Sequence, residues 1–325
     1  MKKHFIWKII FLALGCLILQ ACEQGPAVPE PDKEAEPQTP KIALIMKSLA
    51  NEFFINMAEG TRQHQAANPE LYELVINGTK DESDLAQQVK LVEQMMVTGA
   101  DAIVIAPADS KALIPVLKRA QQAGIVVVNI DNKLDAEILQ EQSISIPFVG
   151  PDNREGAKLA GDHLAKSLSA GDEAAIIGGI STAFNAQQRQ AGFEDAMNSA
   201  GVNIVSIQAG DWEQAKASTV AAAIITEYPQ LKAILCSNDN MAMGAVAAIK
   251  QASKQGEIQV IGFDNINATH PLLRDGSILA TVDQYGRRLA IFGVEYALDI
   301  LKGGKTPADK KTPVDLILVK DLPST

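Results

Sequence analysis

Cysteine, histidine and positive charge are scarce in this sequence, and each scarcity excludes a kind of site. The chain has three cysteines and four histidines in 325 residues, which supply neither a disulfide framework nor a metal-ligand set. Cys16 and Cys22 lie near the N-terminus, which leaves Cys236 without a partner. With 29 Lys and Arg against 39 Asp and Glu, the formal net charge is −10. This balance argues against nucleic acid as a partner, because such binding depends on clustered Lys and Arg.

The start of the chain lacks an apolar run long enough for a membrane-spanning helix. The charge-free segment 9–19 follows three lysines and is shorter than the roughly 20 residues that a bilayer requires. This pattern predicts a signal peptide over residues 1–21. The run Leu19-Gln20-Ala21-Cys22 resembles the bacterial lipobox, in which the cysteine is lipidated and becomes the new N-terminus. An uncleaved anchor and a plain secretory signal are the alternatives, and all three export the protein, to the periplasm or the cell surface.

Residues 23–40 contain five prolines, several carboxylates and no apolar periodicity. Such a segment cannot bury enough apolar surface to offset its conformational entropy, so it predicts a disordered tether. With a lipid on Cys22, the tether would hold a folded body near a membrane and leave it free to move. About 285 residues follow, a length that favours two domains over one small core.

From residue 41 onward, short apolar runs alternate with amphipathic stretches. Runs typical of β-strands lie at residues 42–46, 71–76, 102–105, 126–130, 145–149, 174–177, 202–207, 233–236, 259–262 and 279–282. Helical patterns lie at residues 52–68, 82–98, 110–123, 154–169, 186–200, 213–227, 240–253 and 286–302. Apolar strands separated by helices indicate parallel sheets covered on both faces. The two series of about five strands predict two similar α/β lobes and fit an eight-stranded barrel poorly.

Polar and aromatic side chains collect just after these strands. Ligands of open parallel sheets bind beyond the carboxyl ends of the strands, so these positions are the candidates for a binding site. The first strand is followed by a cation, an amide and two aromatic rings. Later strands are followed by carboxylates, amides, an arginine and an indole. The candidates are Lys47, Asn51, Phe53, Phe54, Asp131, Asn132, Asn185, Gln187, Arg189, Trp212, Asn238, Asp264 and Gln284.

This mixture of side chains suits a sugar. Each sugar hydroxyl donates one hydrogen bond and accepts up to two, so carboxylates and amides can take the protons while Arg, Lys and amide groups donate. The apolar faces of a pyranose pack on aromatic rings. A buried polar group left unpaired costs roughly 1–3 kcal/mol, so the site would reject a sugar with a misplaced hydroxyl. Asp131, Asn238 and Asp264 have a structural alternative as helix N-caps, and Phe53 and Phe54 as ordinary core.

Six segments resemble one known family, in the order that the family expects. They are Lys47-Ser-Leu-Ala-Asn-Glu-Phe-Phe54, Asp131-Asn132, Arg189-Gln-Ala-Gly-Phe193, Asn238-Asp-Asn-Met-Ala-Met-Gly244, Gly262-Phe-Asp264 and Ala280-Thr-Val-Asp-Gln284. Together they resemble the ribose/allose/galactose class of periplasmic binding proteins, which deliver sugars to ABC importers. The resemblance runs from residue 41 to residue 319 and so covers nearly all of the chain after the tether.

The resemblance implies an α/β fold with two Rossmann-like lobes, each a parallel sheet flanked by helices, joined by a three-stranded hinge. The N-terminal lobe would comprise residues 41–150 plus 285–313, and the C-terminal lobe residues 151–284 plus 314–325. Phe54 and Trp212 would sandwich the sugar ring, and Asp131, Asp264 and Arg189 would bind its hydroxyls. The remaining site residues would be Lys47, Asn51, Phe53, Asn132, Asn238 and Gln284. The protein would be a monomer without cofactor, metal or catalytic activity, and its partners would be a monosaccharide and an ABC permease.

Two positions depart from the ribose-binding pattern. Ribose binders usually carry a small hydroxyl residue at the position of Lys47 and an arginine at that of Asn132. Lys47 and Trp212 look more like the allose-binding branch, which favours a hexose or a related sugar. Polyols and sugar acids stay open, because a lysine binds a carboxylate as readily as a hydroxyl.

Four other functions compete with sugar delivery. An enzyme would need a nucleophile–base pair, a metal cluster or a phosphate cradle, yet the sequence has no Walker-type glycine loop and no G-x-S-x-G motif. A sugar-responsive regulator of the LacI type would begin with a basic helix-turn-helix, where this chain has a signal and an acidic tether. A structural lipoprotein would not need aromatics and carboxylates along one cleft. A sensory role, in which a chemoreceptor or histidine kinase reads the closed lobes, is the remaining alternative.

Overall fold

The computed structural model describes residues 39–323. The predicted signal peptide, the lipidated Cys22 and the tether up to residue 38 lie outside the described residues. Within residues 39–323, no helix combines the length and the apolar character needed to cross a membrane.

The described part of the chain contains twelve strands and ten α-helices, which alternate except that the last two strands are consecutive. The strands are β1 Lys41–Ser48, β2 Glu73–Thr79, β3 Ala102–Ile105, β4 Val126–Ile130, β5 Phe148–Pro151, β6 Glu173–Gly178, β7 Asn203–Ala209, β8 Leu231–Cys236, β9 Gln259–Ile261, β10 Thr281–Asp283, β11 Lys310–Thr312 and β12 Asp315–Ile317. The helices are α1 Glu52–Ala67, α2 Leu85–Val97, α3 Ile114–Gln122, α4 Ala136–Glu141, α5 Asn153–Ala165, α6 Phe184–Ala200, α7 Gln214–Glu227, α8 Asp239–Gln251, α9 His270–Arg274 and α10 Gly286–Leu301.

The N-terminal lobe is built on a parallel sheet of six strands in the order β11-β5-β4-β3-β1-β2. Helices cover both of its faces, and successive side chains of each strand point to opposite faces. Along β1, Leu44 packs into the core beneath α1 and α10, whereas Ile45 packs into the core beneath α2 and α3. A central strand covered on both faces explains why the sequence of β1 is continuously apolar rather than alternating.

The C-terminal lobe is built on a second parallel sheet, of four strands in the order β7-β6-β8-β9. Its faces are again both buried: Ile177 packs on the side of α7 and α8, and Ile176 on the side of α5 and α6. The chain leaves the first sheet after β5, returns to it with α10, and leaves it again after β11. The predicted fold class is confirmed, since each lobe is a parallel sheet between layers of helices.

The fifth strand-like run of the second lobe lies beside the edge strand β9. The Leu279 N–H donates to the Val260 carbonyl at 2.8 Å and the Gly262 N–H to the Ala280 carbonyl at 2.9 Å, so the run at 279–282 continues parallel to β9. Its last residues belong to β10, which also pairs antiparallel with β12, with Thr281 opposite Ile317. Strands β11 and β12 and helices α4 and α9 were not predicted, because segments of three to six residues are too short to show a period.

Candidate ligand-binding site

A cavity lies between the two lobes, where the strand ends of both sheets meet. Its free volume is about 10 Å³, room for about one water-sized group, so the walls from the two lobes lie close together here. Its lining comes from both lobes. The lining residues are Lys47, Asn51, Phe53, Phe54, Glu82, Asp131, Asn185, Arg189, Trp212, Asn238, Asp264 and Gln284. The structure therefore brings ten of the eleven residues predicted for the site to one cavity.

Asn132 is the exception, and the structure corrects that prediction. Its side chain is fully buried and its Nδ2 donates to the carbonyl of Pro107 at 2.9 Å. Its Oδ1 accepts from the backbone N–H of Asn185 at 3.1 Å. Both ends of the amide are thus used within the protein, and Asn132 holds the loop after β4 instead of lining the cavity.

The parallel sheets explain why residues so far apart in sequence share one cavity. Lys47 lies at the end of β1, Asp131 directly follows β4, and Asp264 comes shortly after β9. The carboxyl ends of parallel strands lie at the same edge of a sheet, which is where ligands of such folds bind. Gln284 directly follows β10 and reaches the cavity from the hinge ribbon of β10 and β12.

The backbone is strained at several of these positions. Asp131, Trp212 and Asp264 have φ values of 64°, 68° and 121°, although each carries a Cβ that disfavours positive φ. Residues held in such conformations cost on the order of 1–3 kcal/mol each and concentrate at functional sites. These conformations lower the stability of the fold, and they place the side chains of Asp131, Trp212 and Asp264 in the wall of the cavity.

A buried cation with two carboxylates forms the N-terminal wall. Lys47 Nζ lies 3.0 Å from Asp131 Oδ2 and 3.6 Å from Glu82 Oε2, and all three side chains are almost fully buried. Asn51 links this group to α1: its Nδ2 donates to Glu82 at 2.7 Å, and its Oδ1 caps the helix by accepting from the Phe53 N–H. Burial raises the pKa of the Glu82 carboxyl above its ordinary value, while the Lys47 charge and the Asn51 hydrogen bond oppose that rise.

Arg189 dominates the opposite wall. Its guanidinium stacks 3.7 Å from the centroid of Phe263 and donates to Asn153 and to the carbonyl of Ser237, each at 2.8 Å. Its Nη1 lies 3.5 Å from Asp264 Oδ1. Packing on one side and hydrogen bonds on the other fix the guanidinium in place, so it meets a ligand as a rigid donor.

Asp264 pairs with two donors at one oxygen. Gln284 Nε2 donates to Asp264 Oδ1 at 2.7 Å, and Arg189 approaches the same atom. Burial raises the pKa of Asp264 well above its ordinary value, and the Arg189 charge opposes the rise. The carboxyl thus joins the C-terminal lobe, through Arg189, to the hinge, through Gln284.

Two aromatic faces bound the same space. Lys47 Nζ lies 5.6 Å from the centroid of Phe54 and 5.5 Å from that of Trp212, so the ammonium contacts a ring from each lobe. Phe53 packs edge-on against Phe54 with ring centroids 5.1 Å apart. The indole of Trp212 lies against Gly179, where a Cβ would come within 2.1 Å of the ring. Only glycine at position 179 leaves room for the indole in this orientation.

Several polar atoms that line the cavity have no hydrogen-bond partner among the described residues. They are Trp212 Nε1, Asn185 Oδ1 and Gln284 Oε1, and Asp131 Oδ2 has only its ion pair with Lys47. Buried polar atoms are almost always paired, and each unpaired one costs about 1–3 kcal/mol. A donor and several acceptors aimed into one cavity call for a ligand whose groups both accept and donate, as hydroxyls do.

Sequence reasoning missed one charged residue, Glu82. It follows β2 and precedes α2, and the sequence pattern placed it only at the start of the helical stretch 82–98. No local signal marks it as a site residue, because only the pairing of β1 with β2 brings the two loops together. Asn185 stood among the strand-end candidates and also lines the cavity.

Comparison with known proteins agrees with this architecture. Residues 42–306 match the family model described as "Periplasmic binding protein domain". The chain is 53% identical over 310 residues to the D-ribose/D-allose-binding protein of Pseudomonas aeruginosa, covering 94% of this chain and 96% of the relative. It is 33% identical over 286 residues to the D-allose-binding periplasmic protein of Escherichia coli, covering 86% of this chain and 91% of that one.

A solved structure shows the same fold with a sugar bound. It is an ABC transporter periplasmic solute-binding protein from Actinobacillus succinogenes with bound D-allose, at a TM-score of 0.82 and 31% identity, covering 87% of this chain and 98% of that one. The chain belongs to the periplasmic binding protein family. Its relatives are exported transport proteins and not enzymes, and this protein is an ABC-type solute-binding protein without catalytic activity.

Proposed function

We propose that the protein binds a neutral monosaccharide of the allose or ribose type between its lobes and delivers it to an ABC importer. The observation that carries this proposal is the unpaired donor and the several unpaired acceptors of a cavity that also offers two aromatic faces. Sugars combine hydroxyls that donate and accept with apolar ring faces. The printed ligands of the relatives, D-ribose and D-allose, have this chemistry.

The charges of the cavity favour a neutral sugar over a sugar acid. Its walls carry two cations, Lys47 and Arg189, and three carboxyls, Glu82, Asp131 and Asp264. Each cation already lies within 4 Å of a carboxylate. An added carboxylate would therefore be buried beside acidic side chains without a free cation to pair with it, which is a costly arrangement.

Contacts between the lobes support closure around the ligand. Glu52 of α1 accepts hydrogen bonds from the backbone N–H groups of Asn267 and Ala268 in the C-terminal lobe, at 2.9 and 3.2 Å. We propose lobe boundaries of 41–150 plus 285–313 and 151–284 plus 314–325, with rotation at the crossings between them. Closure of this kind is the signal that an importer can recognise.

Export and lipid attachment complete the proposal. The relatives include periplasmic binding proteins, and the first 21 residues carry the pattern of a signal peptide. A lipid on Cys22 with a tether through residue 40 would keep the binding protein near its permease in the membrane. One lipidated cysteine that carries more than one acyl chain is enough for stable anchoring.

Thermal unfolding against a panel of aldoses, ketoses, polyols and sugar acids tests the ligand class. A ligand present at 100 times its Kd adds about 2.7 kcal/mol of stability, which raises Tm by several degrees. We expect one neutral sugar to raise Tm and its epimers to leave it unchanged. A shift with sugar acids alone, or with no member of the panel, would show that the ligand class is wrong.

Replacing Trp212 with alanine should weaken sugar binding without unfolding the protein. The indole is 3% exposed, and loss of its contact with the sugar ring should cost about 1–3 kcal/mol, or roughly 5- to 150-fold in Kd. Trp212→Phe, which keeps an aromatic face, is the matched control and should lose less. Titration calorimetry checks both variants, and an unchanged Kd for Trp212→Ala would mean that the indole does not stack on the sugar.

A further inference from the structure

Helix α6 begins without a cap of its own. Its N-cap residue is Ala183, whose backbone has the extended conformation usual for that position but whose side chain accepts no hydrogen bond. The first N–H groups of a helix have no partner within the helix. Serine, threonine, asparagine or aspartate normally supplies the missing oxygen, and alanine is among the poorest residues at this position.

Two side chains of the other lobe supply the missing oxygens. Ser110 Oγ accepts from the backbone N–H of Phe184 at 2.9 Å, and Asn132 Oδ1 accepts from that of Asn185 at 3.1 Å. Ser110 Oγ also lies 3.3 Å from Asn132 Oδ1, so the two acceptors are joined. Both acceptors are buried in the N-terminal lobe, before α3 and after β4, whereas α6 belongs to the C-terminal lobe.

The capped end of α6 is the end that reaches the cavity. Asn185 and Arg189 lie in its first two turns, and both line the cavity. The N-terminal lobe fixes its own side of the cap firmly, because Asn132 Nδ2 donates to the Pro107 carbonyl and Asn129 Nδ2 donates to the Asn132 carbonyl. Any separation of the lobes would leave both N–H groups of α6 to water.

We propose that Ser110 and Asn132 form a cap for α6 that exists only while the lobes are closed, and that this cap sets how long the sugar stays bound. Both are positioning residues, since neither lines the cavity. The inference rests on the proposed function, because it gives the cap a role in holding a sugar-bound form. Interactions made only in the closed form act chiefly on the rate of release, because the sugar enters before the cap forms.

Ser110→Ala tests the cap with the smallest change. Stopped-flow measurements with D-allose and D-ribose as probes should show release that is roughly fivefold faster, with an association rate close to that of the wild type. This change corresponds to about 1 kcal/mol at 1.4 kcal/mol per factor of ten. The matched control is Ser199→Ala, in the last turn of α6, whose hydroxyl donates to the Asp195 carbonyl within the same lobe. It should leave both rates unchanged.

Amide hydrogen exchange separates a cap from a general structural role. In the sugar-bound Ser110→Ala variant, the Phe184 amide should exchange faster, while the Asn185 amide keeps the protection given by Asn132. The Tm of the sugar-free variant should match that of the wild type. Release rates equal to those of Ser199→Ala, or a lowered Tm without sugar, would overturn the cap and leave the proposed function intact. A wild-type protein that binds neither probe would overturn the proposed function and the inference with it.

Discussion

Replacing Asp264 with alanine is expected to weaken sugar binding by roughly 30-fold or more while the protein stays folded. The carboxyl is 8% exposed, accepts from Gln284 at 2.7 Å and lies 3.5 Å from Arg189. Its loss leaves the Arg189 charge in the cavity without its nearest counter-ion. Truncating one partner of a buried hydrogen-bonded charge pair at a binding site costs about 2–5 kcal/mol, or roughly 30- to 4,000-fold in Kd.

Two further variants make the result specific. Asp264→Asn keeps the size of the side chain and one acceptor oxygen, so a loss similar to that of alanine assigns the effect to the carboxylate charge. Asp195→Asn removes a carboxylate from an exposed ion pair with Arg154 on the outer face of α6, where such pairs contribute little. Its Kd should match that of the wild type. Near-normal affinity of Asp264→Ala in titration calorimetry would remove Asp264 from the site.

Replacing Lys47 with methionine is expected to have the second large effect. The ammonium lies between Asp131 and Glu82, with side-chain exposures of 2–5% for the three residues. Without it, two carboxylates face each other in a desolvated wall, which is unfavourable for a ligand that approaches through its hydroxyl oxygens. We expect a loss of affinity of about 100-fold or more, since breaking a buried ion pair costs about 3–5 kcal/mol.

A double-mutant cycle with Glu82 tests the cause of that loss. Glu82→Gln removes one carboxylate and keeps an oxygen for the Asn51 hydrogen bond. If like charge is the cause, the double variant Lys47→Met, Glu82→Gln should recover part of the affinity that Lys47→Met loses. Additive effects of the two substitutions would show that Lys47 and Glu82 act independently, and the charge argument would then fail. Calorimetry at low and high salt is the control for exposed charges, because salt screens the interactions of exposed charges more strongly than those of buried pairs.

The sequence predicted those parts of the fold in which a local pattern and a long element coincide. The central strands β1 and β3 contain continuous apolar runs because both faces of their sheet are buried. The pairing of β10 with β12 was missed, because a three-residue strand such as β12 carries no period and the two strands pair across more than thirty residues. Nothing within residues 313–317 marks them as the partner of residues 281–283.

For the candidate site too, residues marked by a local sequence pattern could be predicted, whereas residues placed by contacts distant in sequence could not. Residues just after strands, such as Asp131 and Asp264, could be assigned to the cavity because the edge of a parallel sheet is a known place for ligands. Glu82 could not, since its position depends on how far the loop after β2 reaches toward Lys47. Asn132 was assigned wrongly because a strand-end position does not tell whether an amide faces the ligand or the opposite lobe.

The fluorescence of Trp212 tests the central claim most directly. The sequence has two tryptophans, and in a chain that begins at Thr39 only Trp212 remains, in the cavity wall. Titration with D-allose, D-ribose and their epimers should give a saturable change in its emission with one neutral sugar, and the same Kd by calorimetry. Sugar binding that leaves the emission unchanged would place the ligand elsewhere, and no response to any neutral sugar by either method would contradict the proposed function.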